Sequence, residues 1–282
     1  MDQSRVATYE PDNSLKQGYL SIGNEIISEF ITNRWLMWQL FKRDFFSMYK
    51  QSFIGVFWII LLPIVNVATL LMLSQSGILN IGEISVPYPL FAILGMAYWQ
   101  IFSTGLLNCA NSLSSAGDMI KRINFSRKSI VVAAMGKSIV AFLIQLLLVV
   151  VLFIFYRIVP HPGIMLLPFA ILPLVLLTLG LGLIVALLNA IVRDIGSLLS
   201  VGLTLFMYLT PVLYAKPKAG LLAGLIQYNP LYYYIAAARD LALSGQIFEL
   251  SGFLYSALFS IAVFILSLLI FHLTETRITE RI

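Results

Sequence analysis

Residues 138–156 read SIVAFLIQLLLVVVLFIFY, nineteen consecutive positions without a charged side chain. A helix needs roughly 20 apolar residues to cross the hydrocarbon core of a bilayer, which is about 30 Å thick. Five further uncharged stretches of similar or greater length occupy residues 51–82, 84–117, 158–192, 195–215 and 250–274. With 60% hydrophobic and only 11% charged residues, the composition excludes an ordinary soluble domain. The sequence therefore predicts an integral membrane protein.

The basic side chains fall mainly in alternate gaps between these stretches, which indicates how the chain is oriented. Cytoplasmic segments of membrane proteins carry an excess of Lys and Arg. With a cytoplasmic N-terminus, 14 of the 18 basic residues lie inside: Arg5, Lys16, Arg34, Lys42, Arg43, Lys50, Lys121, Arg122, Arg127, Lys128, Lys137, Arg193, Arg277 and Arg281. The others, Arg157, Lys216, Lys218 and Arg239, lie outside. This pattern predicts that both termini are cytoplasmic.

The apolar stretches predict an all-α integral membrane fold with six transmembrane helices in a single domain, residues 25–282. Residues 1–24 are polar and are predicted to form a mobile cytoplasmic lead without a cleavable signal peptide. Residues 25–50 are predicted to form a helix at the membrane surface. The predicted spans cover about 53–73, 88–111, 130–156, 165–189, 195–214 and 252–272.

The surface helix is predicted from an apolar stripe between residues 25 and 50. Lys42 and Arg43 flank the stripe, as in helices that lie beside anionic lipids. Arg34 falls inside it, so an ordinary cytosolic packing helix is the alternative interpretation. At about 100° per residue, the stripe residues fall within about 80° of one another on a helical wheel. They are Ile27, Ile31, Trp38, Phe41 and Phe45.

The uncharged run at 219–238 is ambiguous, because it is long enough to be a seventh span but carries Asn229-Pro230 in its middle. Proline lacks an amide hydrogen and disfavours helix at the residue before it. A break at this point leaves two pieces that are too short to cross a bilayer. The sequence therefore predicts two short half-helices that re-enter the membrane from its outer face, between spans five and six.

Residues that could carry catalysis are scattered along the chain. His161 and His272 lie in separate regions, and the carboxylates occur singly, without a close pair for general acid–base chemistry. Gly136-Lys137-Ser138 resembles part of a phosphate-binding loop, but Val131 stands where such a loop requires its first glycine. The sequence predicts no catalytic residue, no metal site and no ATP site in this chain.

Several motifs resemble those of one family of transporter subunits. In chain order they are RDFFSMYKQSFIGVFW at 43–58, IKRINF at 120–125, RDI at 193–195, TPVLY at 210–214 and NPL at 229–231. Over about residues 35–275, this order resembles the ABC-2 type permeases, the membrane subunits of ABC exporters for O-antigen, capsule and teichoic acid polymers. Ser126 departs from the family pattern, which commonly has proline after the phenylalanine.

This resemblance implies a half-transporter in the cytoplasmic membrane of a bacterium. Two copies of the chain would form a homodimer and recruit two separate ATPase subunits, which would bind the ATP and Mg²⁺. The resemblance further implies that a coupling helix after the second span, at about residues 114–125, docks into the ATPase. Ser115 and Asp118 have the spacing of an N-terminal cap pair. The predicted docking residues are Ser115, Asp118, Met119, Ile120, Lys121, Arg122 and Ile123. A basic loop that only fixes topology is the alternative.

In the family, the outer half-helices form a gate and guide sugars over aromatic faces. The matching residues here are Tyr228, Pro230, Tyr232, Tyr233, Tyr234, Arg239 and Asp240. An ordinary interfacial belt is the alternative interpretation of the tyrosines. Charged groups at membrane depth require a partner or water, so Arg239 and Asp240 are expected to face a watery vestibule or a partner segment.

The function predicted from this resemblance is export of a lipid-linked polysaccharide of the O-antigen type, as in lipopolysaccharide biosynthesis. Lys42, Arg43 and Lys50 are predicted to attract the lipid diphosphate at the inner interface. Membrane lipids are expected partners, and nucleic acid is not. Teichoic acid or capsule export and export of small molecules or drugs are the nearest alternatives. From other classes, a membrane-embedded polymer ligase or transferase and a secondary transporter remain open.

Overall fold

The structure is a computed structural model of the 282-residue chain and describes residues 19–49, 57–76, 82, 84, 86–117, 126–192 and 194–278. Over these residues the fold is all α, without a β-strand. The helices are α1 (Tyr19–Thr32), α2 (Arg34–Tyr49), α3 (Trp58–Gln75), α4 (Tyr88–Ser115), α5 (Arg127–Phe155), α6 (Leu167–Ala170), α7 (Leu172–Ile191), α8 (Asp194–Leu209), α9 (Leu221–Ile226), α10 (Pro230–Leu243) and α11 (Leu250–Ile278). A 3₁₀ turn, Pro162–Leu166, precedes α6.

Four helical segments among the described residues are long and apolar enough to cross a membrane. They are Tyr88–Ser115, Arg127–Phe155, Pro162–Ile191 and Leu250–Thr274. The first and fifth predicted spans correspond to α3 and α8, which are apolar but shorter. The helix α8 ends at Leu209, five residues before the predicted end at 214, because Pro211 disfavours helix at Thr210.

The helix α4 lies at the centre of the fold, with α5 and α7 packed against it and α11 packed against α7. Small residues allow these close approaches, as is common between membrane helices. A Cβ added at Gly105 of α4 would lie 2.7 Å from the Met135 sulfur of α5 and 2.8 Å from Thr178 of α7. A Cβ at Gly180 of α7 would lie 2.9 Å from the backbone of Phe264 in α11. These contacts fix the order α5–α4–α7–α11 across the bundle.

The predicted surface helix is present as two helices, α1 and α2, that meet at Asn33. Backbone hydrogen bonds from Asn33 to Glu29 and from Met37 to Asn33, both 2.9 Å, run through the junction. The helix begins at Tyr19, so residues 19–24 of the predicted lead are helical. Ile27, Ile31 and Trp38 of the apolar stripe are exposed, whereas Phe41 and Phe45 are partly buried. Phe41 packs on Gly136 of α5, which joins the surface helix to the bundle.

The break predicted within 219–238 is present and has a clear local cause. The helix α9 ends at Ile226, and α10 begins at Pro230, whose missing amide hydrogen is no loss at a first helical position. The Asn229 side chain caps α10 by accepting a hydrogen bond of 3.0 Å from the Leu231 amide. Asn229 also donates to the Thr210 hydroxyl at 2.8 Å, which fixes the break against the end of α8. Residues 219–238 therefore do not form one continuous helix.

Two ends of the bundle are named here after the predicted orientation. The outer end holds the first residues of α4 and α11, together with α9 and α10. The inner end holds the first residues of α5 and the last residues of α11.

Candidate functional site

Arg239 fastens the outer half-helix α10 to its surroundings. Its side chain is 8% exposed and donates hydrogen bonds to the carbonyl oxygens of Pro211 (3.0 Å), Phe91 (3.3 Å) and Val212. The guanidinium carbon also lies 3.5 Å from the centroid of the Phe91 ring, in cation–π contact. Gly95 of α4 leaves the space for this group, because a Cβ there would collide with the guanidinium. Of the two surroundings predicted for Arg239, the structure shows a partner segment, the turn after α8.

A second polar contact links the turn after α8 to the start of α11. The Lys216 ammonium lies 2.8 Å and 3.1 Å from the two carboxylate oxygens of Glu249, and 4.5 Å from the ring centroid of Tyr232. The Tyr232 hydroxyl donates to the same carboxylate at 2.6 Å. Partial burial alone would raise the pKa of Glu249, but the hydrogen bonds from Lys216 and Tyr232 outweigh it and lower that pKa. The carboxylate is thereby kept ionised at the outer end.

Three of the predicted gate residues, Tyr228, Pro230 and Tyr233, line one cavity of about 300 Å³. The α11 side of this cavity carries Gly252, Tyr255, Ser256 and Phe259, and Gln227 completes the lining. The Tyr233 hydroxyl donates to the Gln227 carbonyl at 2.8 Å, which fixes its ring. Tyr228 and Tyr255 are 82% and 74% exposed, so aromatic surface is open at the outer end. Aromatic walls with a few polar groups are typical of ligand-binding cavities.

The remaining predicted gate residues do not line this cavity. The Tyr234 side chain is fully buried, and its hydroxyl lies 2.6 Å from the Ser256 carbonyl and within hydrogen-bond distance of the Ser260 hydroxyl. Asp240 accepts a hydrogen bond of 3.1 Å from the Phe248 amide. Tyr232, Tyr234 and Asp240 therefore hold α10 against the chain that leads into and forms α11.

At the inner end, the structure describes only part of the predicted site. The Lys42 ammonium lies 5.6 Å from the ring centroid of Trp38, and Arg43 forms an ion pair of 2.8 Å with Asp44. Ser115 is the last residue of α4 and donates to the Ser112 carbonyl at 3.0 Å; its predicted cap pairing with Asp118 involves a residue outside those described. The other predicted residues, Lys50, Asp118, Met119, Ile120, Lys121, Arg122 and Ile123, lie outside the described residues.

A polar cluster that no sequence pattern indicates joins three helices at the inner end. We name it the inner cluster: Glu25, Glu29, Ser126, Lys128 and His272. The Lys128 side chain is 1% exposed, and its ammonium lies 2.7 Å from a Glu29 oxygen and 2.7 Å from His272 Nδ1. Ser126 donates to the same Glu29 oxygen at 3.2 Å. His272 Nε2 lies 3.9 Å from Glu25. From the sequence alone, Lys128 has no predicted role beyond its place among the cytoplasmic basic residues.

A buried asparagine braces the turn between α7 and α8, also at the inner end. Asn189 donates to the Ala110 carbonyl at 2.9 Å and to the Asn111 side chain at 3.2 Å, and it accepts from the Gly196 amide at 2.7 Å. Asn108 donates to the Ser138 hydroxyl at 2.9 Å. Polar side chains thus join α4 to α5 and α7, and α7 to α8, near this end.

The family match and the similar proteins all point to one kind of membrane transport protein. Residues 36–243 match the ABC-2 type transporter family. A protein from Klebsiella pneumoniae named O-antigen export system permease protein RfbA is 27% identical over 245 residues, 85% of this chain and 92% of that protein. A protein of the same name from Myxococcus xanthus is 27% identical over 190 residues, 67% of this chain and 72% of that protein.

Proposed function

The chain belongs to the ABC-2 type transporter family, and we propose that it is the permease subunit of an ATP-driven exporter. Its substrate would be a lipid-linked polysaccharide of the O-antigen type, carried across the inner membrane of a bacterium. The observation that carries this proposal is the family match over residues 36–243, together with relatives named O-antigen export system permease that align along most of their length. The chain is then a transport subunit, and ATP hydrolysis belongs to a separate ATPase.

We further propose that six helices cross the membrane, with both termini in the cytoplasm. The helices α3 and α8 would complete the four longer spans, since their 18 and 16 residues reach about 27 and 24 Å at about 1.5 Å per residue. The helices α9 and α10, with 6 and 14 residues, are too short to cross and would re-enter from the outer face. The placement of basic residues in the sequence supports this orientation.

The proposed assembly is a homodimer of this chain with two ATPase subunits, which bind ATP and Mg²⁺. Residues 114–125 would dock on the ATPase, because they link the inner ends of α4 and α5, the most closely packed helices of the bundle. Of the proposed docking residues, Ser115 lies at the last turn of α4. The others, from Asp118 to Ile123, follow it directly in the chain and combine apolar with basic side chains.

The substrate path is proposed from the two ends of the molecule. At the inner interface, Lys42, Arg43 and Lys50 would attract the lipid diphosphate through their positive charge. At the outer end, the cavity beside Tyr228 and Tyr233 would receive sugar rings, since aromatic faces with nearby polar groups suit amphipathic sugars. Tyr232, Tyr234, Arg239 and Asp240 would hold the gate by the contacts described above.

The experiment that tests the function is affinity purification of the tagged chain from its native membrane, with mass spectrometry of the proteins that accompany it. A parallel sample carries a Gly/Ser linker in place of residues 114–125. We expect a phosphate-binding-loop ATPase at about one copy per chain, absent from the linker sample. If the unmodified chain yields no ATPase in mild detergent, the exporter assignment is wrong and a membrane enzyme or a secondary carrier replaces it.

The substrate is tested by depletion of the chain in living cells. We expect a lipid-linked polysaccharide to accumulate on the cytoplasmic face, where it can be extracted and its sugars identified. Accumulation of a teichoic acid or capsule precursor would move the assignment to that branch. Retention of a small hydrophobic compound, with normal polymer export, would favour the drug-exporter alternative.

The diphosphate interaction has its own test. Replacement of Lys42, Arg43 and Lys50 by glutamine together should lower export while the ATPase still co-purifies, since only the charge that attracts the lipid diphosphate is removed. Lys218, a basic residue of the outer loop, gives the matched control when replaced by glutamine. Unchanged export by the triple variant would remove these residues from the substrate path.

A further inference from the structure

The inner cluster holds the most deeply buried lysine of the described residues at the point where three helices meet. Lys128 is 1% exposed, whereas a lysine is almost never fully buried unless its charge is paired. Its ammonium satisfies this requirement with Glu29 of α1 and His272 of α11, both at 2.7 Å. An ammonium has only donors, so the Nδ1 atom of His272 accepts this hydrogen bond. Each of the three side chains comes from a different helix.

The place of Lys128 in the chain connects the cluster to the proposed docking segment. Lys128 is the second residue of α5, which begins directly after residues 114–125 and the short link at Ser126. Ser126 itself donates to Glu29. Ser126 and Lys128 therefore tie the start of α5 to Glu29 and, through His272, to the last turns of α11. The surface helix and α11 are both attached to the exit of this segment.

The helix α11 runs from the inner cluster to the outer gate without a break. It has 29 residues, contains no proline and is about 43 Å long at about 1.5 Å per residue. At its outer end, the Ser256 carbonyl and the Ser260 hydroxyl lie within hydrogen-bond distance of Tyr234 in α10. Glu249, immediately before α11, binds Tyr232 of the same half-helix. Contacts with α10 thus lie at one end of α11, and the contact with Lys128 lies at the other.

Near its middle, α11 approaches the backbone of α7 closely. A Cβ on Gly180 would lie 2.9 Å from the Phe264 Cα, so the two backbones touch at this level. Phe264 lies about midway between His272 and Ser256 in the sequence. A rigid helix held at its midpoint tilts when one end is displaced, and its other end moves in the opposite direction. The three contacts give α11 the geometry of a lever.

We propose that Lys128 is a positioning residue that links the docking segment to α11, so that displacement of the segment tilts α11 about the Gly180–Phe264 contact and moves the outer half-helix α10. This inference rests on the proposed function, because it assumes that an ATPase pushes on residues 114–125. It assigns to Glu29, Lys128 and His272 a role in coupling ATP hydrolysis to opening of the gate. The cluster does not touch the substrate in this role.

The test uses the assembled exporter, purified with its ATPase and placed in proteoliposomes that contain the lipid-linked polymer. Three quantities are measured: ATPase bound per chain, ATP hydrolysed per complex, and polymer transported per ATP. Lys128→Met removes the charge with similar side-chain volume. His272→Leu removes the acceptor, whereas His272→Asn retains an acceptor near the position of Nδ1. Thr274→Val is the matched control, since its hydroxyl binds only carbonyls of α11 itself.

We expect Lys128→Met and His272→Leu to assemble and to hydrolyse ATP, but to transport about tenfold less polymer per ATP, a typical size for coupling between distant sites. His272→Asn should recover most of this loss, and Thr274→Val should transport as the unmodified protein does. A role in stability alone would lower the amount of complex without changing polymer transported per ATP. If Lys128→Met does not assemble, the comparison of His272→Leu with His272→Asn decides the matter.

Two results would overturn the proposal. One is unchanged polymer transport per ATP in assembled Lys128→Met or His272→Leu complexes. The other is an equal loss in His272→Leu and His272→Asn, which would show that the acceptor is irrelevant. Failure of the proposed function is distinguishable from both, because in that case the unmodified chain itself would bind no ATPase and transport no polymer.

Discussion

The two ends of the bundle are held together by different kinds of polar contact. At the outer end, the buried Arg239 binds backbone carbonyls, which every residue offers whatever its side chain. At the inner end, Lys128 binds the side chains of Glu29 and His272, and each partner can be lost by one substitution. The outer contact therefore depends on one side chain and on backbone shape, whereas the inner contact depends on three side chains together.

This difference determines how each end of the bundle responds to the substitution of one residue. Loss of Arg239 removes the donor that binds the Pro211 and Val212 carbonyls in the turn after α8. Loss of Glu29 or His272 leaves Lys128 with its second partner. One substitution should therefore abolish the outer contact, whereas one substitution should only weaken the inner contact. The variants below test this contrast, from the largest expected effect to the smallest.

Arg239→Met should be the most damaging single substitution among them. It removes three hydrogen bonds and the contact with the Phe91 ring, and leaves buried carbonyl oxygens unsatisfied, at a cost of about 3 kcal/mol or more. The expected result is low accumulation in the membrane and a melting temperature well below that of the unmodified protein in detergent. Arg239→Lys should recover only part of this loss, because an ammonium cannot reach the carbonyls as a planar fork does. A melting temperature equal to that of the unmodified protein would contradict the anchoring role.

Gly95→Ala should weaken the outer end through the same contact. The added methyl group would collide with the guanidinium of Arg239 and with the Val212 carbonyl, and overpacking of this kind costs about 1–3 kcal/mol. Thermal unfolding of the single variants and of the Gly95→Ala, Arg239→Met double variant gives the measurement. We expect the double variant to be little worse than Arg239→Met alone, since both changes act on one contact. Additive losses would show that Gly95 acts elsewhere.

Glu29→Gln should be milder than Arg239→Met. The amide oxygen still accepts from Lys128 and His272 remains in place, but the buried ammonium loses this carboxylate partner, at a cost of about 2 kcal/mol. The same protein with Lys128→Met serves as the reference in thermal unfolding. Adding Glu29→Gln to the Lys128→Met variant should lower the melting temperature little further. The ammonium group that pairs with Glu29 is already absent from that variant. A fall in melting temperature as large as that caused by Arg239→Met would show that the two ends do not differ in this way.

The contact of Glu249 with Lys216 and Tyr232 should contribute least to the stability of the folded protein, because it is partly exposed to water. Since the pKa of Glu249 is lowered in the folded protein, its contribution is fully present above the unfolded pKa of about 4.3. It should disappear as the pH falls through the lower folded pKa. The measurement is the difference in melting temperature between the unmodified protein and Glu249→Gln from pH 7 to pH 3. A difference that fades between pH 7 and pH 5 would contradict the direction of the shift.

The half-helices show what could be predicted from the sequence. Asn229-Pro230 acts through the chain itself, because the proline and the cap determine the break before any partner is present. The early end of α8 has the same kind of cause in Pro211, although the prediction placed it five residues too late. The four longest spans were predicted for the same reason, since apolar length is a local property of the sequence.

The polar contacts could not be predicted in this way. Lys128 and His272 are 144 residues apart, and nothing near either of them in sequence indicates the other. Arg239 was singled out as a charge that needs a partner, but the carbonyls of Pro211 and Val212 carry no signature in the sequence. The family pattern pointed to the tyrosines after Pro230, but only the structure separates Tyr233 at the cavity from the buried Tyr234.

The shortness of α8 also concerns the lipids around the protein. As the proposed fifth span, a helix of 16 residues, about 24 Å long, would fall about 6 Å short of a typical hydrocarbon core. Bilayers adapt to such a mismatch by thinning, at a fraction of a kcal/mol for each ångström. Beside α8 the two headgroup layers should draw together, which shortens the distance over which a hydrated sugar chain is surrounded by hydrocarbon. The membrane, deformed by one short helix, would then lower the barrier that the exporter has to overcome.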